Sequence, residues 1–365
     1  MSYADLFEIP PDGLYLLAHS AGCLPVRSRG ELEAKLLAPW AASGAAAWDV
    51  WLPVFDDFRD GLARLLGGQR VDFCPQANLS AGLFALLSSL TLENGRHQIL
   101  MSAHAFASIG FVAQTLERLG YRLALIDGDP GDCATWEAAM TKDVAAVVPM
   151  HVHSNRGVVS PVAEIVALGR ARGIVSVIDI AQSAGILPIN LMAWDADAVI
   201  GSCLKWLCGG PGAGFLWANP KIIDRLKPLS VGWFSHENPF EFDIRDFRYA
   251  ADARRFWGGT PSVAPFVLAA SGIRQILDIG VETIFTHNRS LISRIAAATP
   301  DRWQAQLERT GKGGTLCLEP VDIEALSSAL KSNGCRFDQR GDTLRLSFHI
   351  WNTHDEADII AGCLT

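Results

Sequence analysis

Short apolar runs alternate with helical patterns between about residues 70 and 220. The runs are apolar at successive positions, which is typical of strands buried on both faces of a sheet. They are "HQILMSA", "YRLALID", "VAAVVPMHV", "IVSVIDI" and "ADAVIGS". Segments between them, such as "IGFVAQTLERLG" and "VAEIVALGRARG", have apolar residues at helical spacing and end near glycine. This alternation predicts an α/β fold, with a mostly parallel sheet covered by helices on both faces.

The pattern changes after residue 260. A long helix is predicted from about Phe266 to Asp278, and "VETIFTHNRSLISRIAAA" continues with helical spacing. The tail then alternates strand-like "GTLCLEP" and "DTLRLSFHI" with helical "VDIEALSSALKSNG" and "HDEADIIAGCL". We therefore expect a large domain over residues 46–260 and a smaller α+β domain over residues 261–365. The sequence pattern of residues 1–45 does not assign them to either domain, and we expect them to pack with the smaller domain.

Charge and composition narrow the classes of partner. The formal net charge of -8 argues against nucleic acid and anionic membrane surfaces as partners. No apolar run is long enough to span a bilayer, and the N-terminal residues lack a secretory pattern. The eight cysteines lack the paired spacing of metal ligands, so we expect no metal and mostly reduced, buried thiols in a cytoplasmic protein.

One lysine stands out in the apolar, glycine-broken segment "GSCLKWLCGGPGAGF". Lys205 follows a predicted strand that ends near Ser202, and Asp179 ends the preceding strand. Ligands of parallel sheets gather at the carboxyl ends of the strands. Pyridoxal phosphate (PLP) needs both groups, because its aldehyde forms a Schiff base with a lysine and its pyridine nitrogen pairs with a carboxylate. Either residue alone has an ordinary explanation, as a helix cap or a solvated charge, and spacing alone leaves both explanations open.

From about Gly67 to its C-terminus the sequence resembles the class V aminotransferase group of fold-type I PLP-dependent enzymes. That group includes cysteine desulfurases, kynureninases and isopenicillin-N-epimerase-like proteins. The resemblance follows four segments in order: "HVHSNRGVVSPVAEIVALGRARGIVSVIDIAQSAGILPIN", "GSCLKWLCGGPGAGFLW", "RRFWGGTPSV" and "LRLSFHIWNTHDE". It implies a fold-type I PLP-dependent transferase fold and PLP as the cofactor.

The resemblance also implies roles for individual residues. Lys205 would carry the Schiff base and Asp179 would hold the pyridine nitrogen. The other implied cofactor contacts are Gln182 at the phenolic oxygen, Asn155 near it, Ser202 at the phosphate, and His104 stacked on the ring. Thr260 would reach the phosphate of a neighbouring subunit, which implies a homodimer with shared sites. Arg345 would clamp the carboxylate of an amino-acid substrate, a task suited to a planar guanidinium.

A helix start provides a physical reason for phosphate binding. In "PQANLSAGLFALL", Asn78, Leu79 and Ser80 lie where a helix begins, and free N–H groups there favour an anion. A plain N-cap would satisfy the same pattern. His153 lies close in sequence to Asn155, and we consider it as a proton-transfer candidate.

Departures from the family pattern bear on the type of reaction. Leu204 replaces the histidine of many desulfurases and the tyrosine of kynureninases before the lysine. The tail lacks the desulfurase loop with a mobile cysteine, since Cys335 lies on a strand-like segment, so a persulfide-forming desulfurase is not expected. "VGWFSHE" resembles a kynureninase segment that puts Trp233 near the substrate, and "AHSAGCLP" loosely resembles that family's opening motif, with His19 facing the ligand. The kynureninase asparagine is replaced in "FWGGTP", although Trp257 there could shape an apolar pocket.

The sequence therefore predicts a PLP-dependent enzyme that forms an α-carbanion from an amino acid attached through Lys205. An aminotransferase-like activity is the default. A C–S lyase, a kynureninase-like C–C hydrolase and an epimerase are alternatives that the sequence does not separate. A non-catalytic protein that senses PLP or an amino acid is a further alternative from another class. The identity of the substrate stays open.

Overall fold

The computed structural model describes residues 2–92 and 95–365. The strands are β1 Phe7–Glu8, β2 Leu14–Tyr15, β3 Leu24–Pro25, β4 Phe73–Gln76, β5 Gln98–Ser102, β6 Arg122–Ile126, β7 Val144–Val147, β8 Val175–Asp179, β9 Ala198–Ser202, β10 Gly214–Ala218, β11 Thr315–Leu318, β12 Cys335–Arg336, β13 Asp338–Arg340 and β14 Thr343–Ser347. The α-helices are α1 Arg27–Leu32, α2 Ala38–Ser43, α3 Trp48–Leu66, α4 Leu79–Leu87, α5 Ala107–Thr115, α6 Cys133–Ala139, α7 Val162–Ala171, α8 Leu191–Trp194, α9 Ala264–Ile279, α10 Val281–Ala298, α11 Asp301–Gly311, α12 Ile323–Ser332 and α13 His354–Cys363.

A seven-stranded sheet forms the centre of the molecule, in the order β4-β10-β9-β8-β7-β5-β6. Strands β5 to β9 are parallel to one another, and β10 runs antiparallel to both β9 and β4. Strands β4, β9 and β10 are almost wholly buried, as expected for a sheet covered on both faces. The prediction of an α/β fold with a mostly parallel sheet is confirmed.

Helices pack on this sheet through apolar faces. The segment after β5 forms α5 and a 3-10 turn that ends at Gly120, whose φ of 90° lies in the left-handed region that glycine adopts freely. Helix α9 packs lengthwise on α3, with Phe266 between Phe55 and Phe58. Among the described helices none is both long and apolar enough to cross a bilayer alone. By length and composition, only the pair α9 and α10, bent by 74°, passes such a test.

The C-terminal residues form a second sheet, β11-β14-β13, which is antiparallel throughout. The N-terminal segment joins this part of the chain, because β2 pairs in parallel with β12 and Leu17 bridges to Ser347. It also contacts the region of the large sheet, since the Gly22 N–H donates to the Leu204 carbonyl. These contacts bring the N-terminal segment between the two sheets, close to Lys205.

Candidate active site

The carboxyl ends of β8 and β9 lie at one edge of the large sheet, and we term the region beyond this edge the crevice. Asp179 is the last residue of β8 and Ser202 the last of β9, and because the two strands are parallel both residues lie at the same edge of the sheet. Lys205 follows three residues after Ser202. The topology thus brings together three residues that the sequence singled out.

Asp179 is a buried carboxylate, with only 3% of its surface exposed. Its Oδ1 accepts a hydrogen bond from the Ala181 N–H at 2.8 Å. Burial raises the pKa of Asp179, although that hydrogen bond and the charge of Lys205 act in the opposite direction. Within residues 2–92 and 95–365, no cationic nitrogen lies within 4 Å of the carboxylate. Asp179 therefore lacks the close cation that usually accompanies a buried carboxylate.

Lys205 faces the same crevice. Burial lowers the pKa of its amine from 10.5 to about 8, and the charges of Arg345 and Arg340 add to this effect while Asp179 opposes it. Its Nζ lies 5.9 Å from the centre of the Phe106 ring. No carboxylate of the described residues is within 4 Å of Nζ. An amine with this pKa is partly neutral near pH 7 and can act as a nucleophile or a base.

The buried groups fit PLP. Asp179 can pair with a protonated pyridine nitrogen, and Lys205 can attach to the aldehyde. Gln182, also buried, donates from Nε2 to the His19 carbonyl at 3.1 Å, whereas its Oε1 is buried without a hydrogen bond in the described structure. A phenolic O–H beside it would supply that missing bond. Asp179, Lys205 and Gln182 thus match three functional groups of PLP, namely its pyridine nitrogen, its aldehyde and its phenolic oxygen.

The start of α4 has features that suit the phosphate of PLP. Asn78 caps α4 by accepting from the Ala81 N–H at 2.9 Å, and the earlier N–H groups of the first turn have no acceptor within the helix. Gly214, which pairs with Ser202 across β9 and β10, packs directly on this helix start. A Cβ atom at Gly214 would lie only 2.9 Å from the Asn78 carbonyl carbon. Ser202, Leu79 and Ser80 are therefore close to one another.

Arg345, on β14, is fully buried and paired with Asp338. The register of β13 and β14 places the two residues opposite each other. The Nε group donates to Asp338 Oδ1 at 2.7 Å, Nη2 donates to Oδ2, and Nη1 donates to the Ser154 carbonyl at 2.8 Å. One edge of the guanidinium is thus occupied by a carboxylate of the protein itself, and Nη1 and Nη2 each keep a second N–H.

His19 connects the two halves of this site. Its Nδ1 lies 2.8 Å from Ser347 Oγ and its Nε2 lies 3.1 Å from Asp338 Oδ1. Burial lowers the pKa of His19, while the hydrogen bond with Asp338 opposes this. For Asp338 burial acts to raise the pKa, but hydrogen bonds from His19 and Arg345 outweigh it and hold the pKa far below its usual range. Both ring nitrogens of His19 are therefore engaged by protein groups, and its role at the substrate stays a prediction.

Trp233 and Thr260 contact each other. The Trp233 Nε1 group donates to Thr260 Oγ1 at 3.3 Å, and the indole stacks on Phe242. Thr260 also lines a depression together with Gln76 and Ala77, just before α4 begins. Trp257 packs against Phe55 and Phe234 in the interior. The predicted roles of Trp233 and Thr260 toward substrate and cofactor stay predictions.

The two histidines singled out near the site differ in their surroundings. His104 is partly exposed, and burial followed by the charge of Arg156 lowers its pKa. His153 is fully buried, with Nε2 3.1 Å from Ser160 Oγ, and burial lowers its pKa to about 4. His153 is therefore neutral near pH 7 and poorly suited to hold a proton there.

Sequence reasoning missed three residues of the crevice: Phe106, Asp338 and Arg340. The signal for two of them was available, because Gly341 and Asp342 form the short loop of a hairpin in which Arg340 pairs with Thr343. In antiparallel register such a hairpin must place Asp338 opposite Arg345. Phe106 carried no comparable signal, since it follows β5 in an irregular segment.

Comparison with known proteins agrees with this geometry. The family model for aminotransferase class-V matches residues 54–360. The chain belongs to the class-V aminotransferase family. It is 34% identical over 282 residues to a kynureninase of Deinococcus radiodurans, covering 75% of this chain and 67% of that protein. It is 26% identical over 302 residues to the uncharacterized aminotransferase YcbU of Bacillus subtilis, covering 82% and 80% of the two chains.

Solved structures share the fold of this class-V aminotransferase family member. An apo cysteine desulfurase from Thermococcus onnurineus NA1 superposes with a TM-score of 0.81 at 21% identity, covering 96% of this chain and 93% of that one. A C-DES variant with glycine covalently linked to its PLP cofactor superposes with a TM-score of 0.82 at 19% identity, covering 97% and 96%. The predicted family, fold, cofactor and enzyme class are confirmed: this is a PLP-dependent, class-V aminotransferase-like enzyme.

Proposed function

We propose that the protein binds a free α-amino acid and removes its α-proton with Lys205. The observation that carries this proposal is the Lys205 amine, whose pKa burial lowers to about 8 beside the buried carboxylate of Asp179. A base with a pKa near the working pH is well suited to proton transfer. The same amine would hold the cofactor when no substrate is bound.

Each residue of the crevice contributes one task. When bound, PLP supplies an electron-accepting ring that stabilises negative charge on the substrate's α-carbon. Asp179 keeps the ring nitrogen protonated through a charge-assisted hydrogen bond worth about 1.5–3 kcal/mol. The N–H groups of Arg345 that Asp338 leaves free orient the substrate's α-carboxylate, and Lys205 Nζ takes the α-proton and returns it.

Aminotransferase-like chemistry is the default outcome of this proton removal. A kynureninase-like hydrolysis is the second candidate, favoured by the 34% identity to the Deinococcus radiodurans kynureninase. A persulfide-forming desulfurase is disfavoured by Cys335, because this thiol lies on β12 and burial raises its pKa to about 12. A thiol with that pKa is a poor nucleophile at neutral pH.

The test is the exchange of the α-hydrogen in deuterated water. The protein loaded with PLP is incubated with a panel of L-amino acids, and proton NMR follows the α-hydrogen signal of each. We expect exchange with at least one amino acid and a loss of about 10²–10⁴-fold in Lys205→Ala, the usual contribution of a positioned base. Lys312→Ala is the matched control and should exchange normally. Equal rates in Lys205→Ala and the unaltered protein would contradict the proposal.

We also propose a homodimer that shares its two sites. The proposal is supported by an exposed apolar surface, defined here as the dimerisation patch, which adjoins the contact between Trp233 and Thr260. Its members are Leu229, Val231, Phe240, Phe242, Ile244 and Phe247. Surfaces of this kind usually mark contact with another protein. The eight free cysteines support a reducing, cytoplasmic location as part of the same proposal.

A further inference from the structure

Two arginines reach the crevice, and their guanidinium groups differ in what they already bind. Arg345 is fully buried, and Asp338 occupies the edge formed by its Nε and Nη2 groups. Arg340, at the end of β13, is exposed. In the described part of the chain no carboxylate oxygen lies within 4 Å of its guanidinium nitrogens.

Arg340 and the amine of Lys205 both lie beside the Phe106 ring. Its guanidinium carbon is 5.4 Å from the centre of the Phe106 ring, and Lys205 Nζ is 5.9 Å from the same centre. The charge of Arg340 is among the causes that lower the pKa of Lys205. A ligand attached next to Lys205 is therefore within reach of Arg340.

Arg340 is also held in place. Its Nη1 group donates to Asn155 Oδ1 at 2.9 Å, and its plane is near the face of Phe106. Neither Nε nor Nη2 donates a hydrogen bond to any described residue, so the edge that suits a planar carboxylate is open. Asn155 is a neutral acceptor and does not compensate the charge. Burial and the charge of Arg345 lower the pKa of Arg340, an effect that an incoming anion would reverse.

These observations assign a second anion-binding group to the substrate site. We propose that Arg340 binds an acidic group on the substrate's side chain, so that the preferred substrates are amino acids with a side-chain carboxylate. The inference rests on the proposed function, in which Arg345 takes the α-carboxylate. Asp338 and the substrate's α-carboxylate together neutralise Arg345. A substrate with a neutral side chain would leave the open edge of Arg340 without a partner.

The test compares acidic amino acids with their isosteric amides. Rapid-mixing titrations of the PLP-loaded protein with L-aspartate, L-asparagine, L-glutamate and L-glutamine give dissociation constants from the initial change in visible absorption. We expect at least one acid to bind about ten-fold more tightly than its amide, the size expected for a charge-assisted, bidentate pair. In Arg340→Gln this preference should fall to about two-fold or less, because the dissociation constants of the acids should rise much more than those of the amides. Arg118→Gln, an exposed arginine on another surface, is the matched control and should keep the preference.

Three other outcomes would each overturn the inference. Equal binding of acids and amides by the unaltered protein would overturn this inference alone, because amino acids would still bind. An equal loss for acids and amides in Arg340→Gln would assign Arg340 to the α-carboxylate and also overturn it. No absorption change with any of these or with the wider amino-acid panel would overturn the proposed function together with the inference. An unchanged thermal midpoint of Arg340→Gln separates these outcomes from misfolding.

Discussion

The pKa values of Lys205 and Asp179 are both shifted from their ordinary values. Burial lowers the pKa of the amine to about 8 and raises that of the carboxylate, and no described counter-ion lies within 4 Å of either group. Such an arrangement costs stability unless a ligand completes it. PLP would complete it, because its pyridine nitrogen would pair with the carboxylate and its aldehyde would attach to the amine.

The attachment of PLP to the protein should therefore depend on pH in a specific way. Only the neutral amine is a nucleophile, so the rate of attachment should rise with pH and level off above about 8, rather than continue toward 10.5. Arg340→Gln removes a positive charge near Lys205 and should move this inflection to higher pH, whereas Arg118→Gln should not. The absorption change after mixing apoprotein with PLP measures the rate. An inflection near 10.5 in the unaltered protein would contradict the burial effect.

Residues at strand ends were predictable and long-range pairs were not. Asp179, Ser202 and Lys205 follow directly from the rule that parallel strands end at one edge. The hydrogen bond between Arg340 and Asn155 joins residues 185 positions apart, and no local pattern records it. The pairing of Arg345 with Asp338 is local by contrast, and the hairpin loop at Gly341 and Asp342 carried a signal for it that the apolar pattern alone does not contain.

At the scale of elements, the proposed phosphate site lies in the corner between β9, β10 and α4. The helix start lies beside Ser202 only because Gly214, opposite Ser202, lets β10 approach the backbone of Asn78. A side chain at this position would have to push the first turn of α4 away from the strands.

Gly214→Ala should therefore weaken cofactor binding. The added Cβ would lie 2.9 Å from the Asn78 carbonyl carbon, and relief of such overpacking costs about 1–3 kcal/mol. We expect the dissociation constant for PLP, measured by equilibrium dialysis, to rise about ten-fold or more. Gly110→Ala in α5 is the control, because a Cβ there meets no atom within 4 Å. Unchanged PLP affinity in Gly214→Ala would contradict this account of the phosphate corner.

The parallel part of the sheet was predicted well because buried strands and amphipathic helices have distinct periods. The predicted strand runs correspond to β5 through β9, and the helix expected over Phe266 to Asp278 is contained in α9. The antiparallel pairing of β10 with β9 and β4 was not predicted. An apolar run such as Gly214 to Ala218 is equally compatible with a parallel or an antiparallel strand. The direction of the strand depends on the connection that precedes it.

At the scale of the whole molecule, the dimerisation patch is an apolar surface that the single chain leaves exposed. Ile244 is 99% exposed and Phe242 is 69% exposed, next to the Trp233 ring that contacts Thr260. Aromatic and branched side chains in such numbers are costly in water and are usually covered by another protein surface.

Ile244→Glu should therefore weaken the proposed dimer. A buried, unpaired carboxylate opposes association, so we expect light scattering to show a shift from dimer toward monomer and a loss of bound PLP. Val321→Glu, at a fully exposed position elsewhere, is the matched control and should not change the mass. A monomeric unaltered protein that keeps PLP and activity would contradict shared sites.

The most direct test of the whole account is to locate the cofactor on the chain. The PLP-loaded protein is reduced with borohydride, digested and analysed by mass spectrometry, with Lys205→Ala and Lys312→Ala treated in parallel. We predict one modified lysine, Lys205, in the unaltered protein and in Lys312→Ala, and no modification in Lys205→Ala. Modification of another lysine, or none at all, would contradict the assignment of Lys205 as the reacting amine.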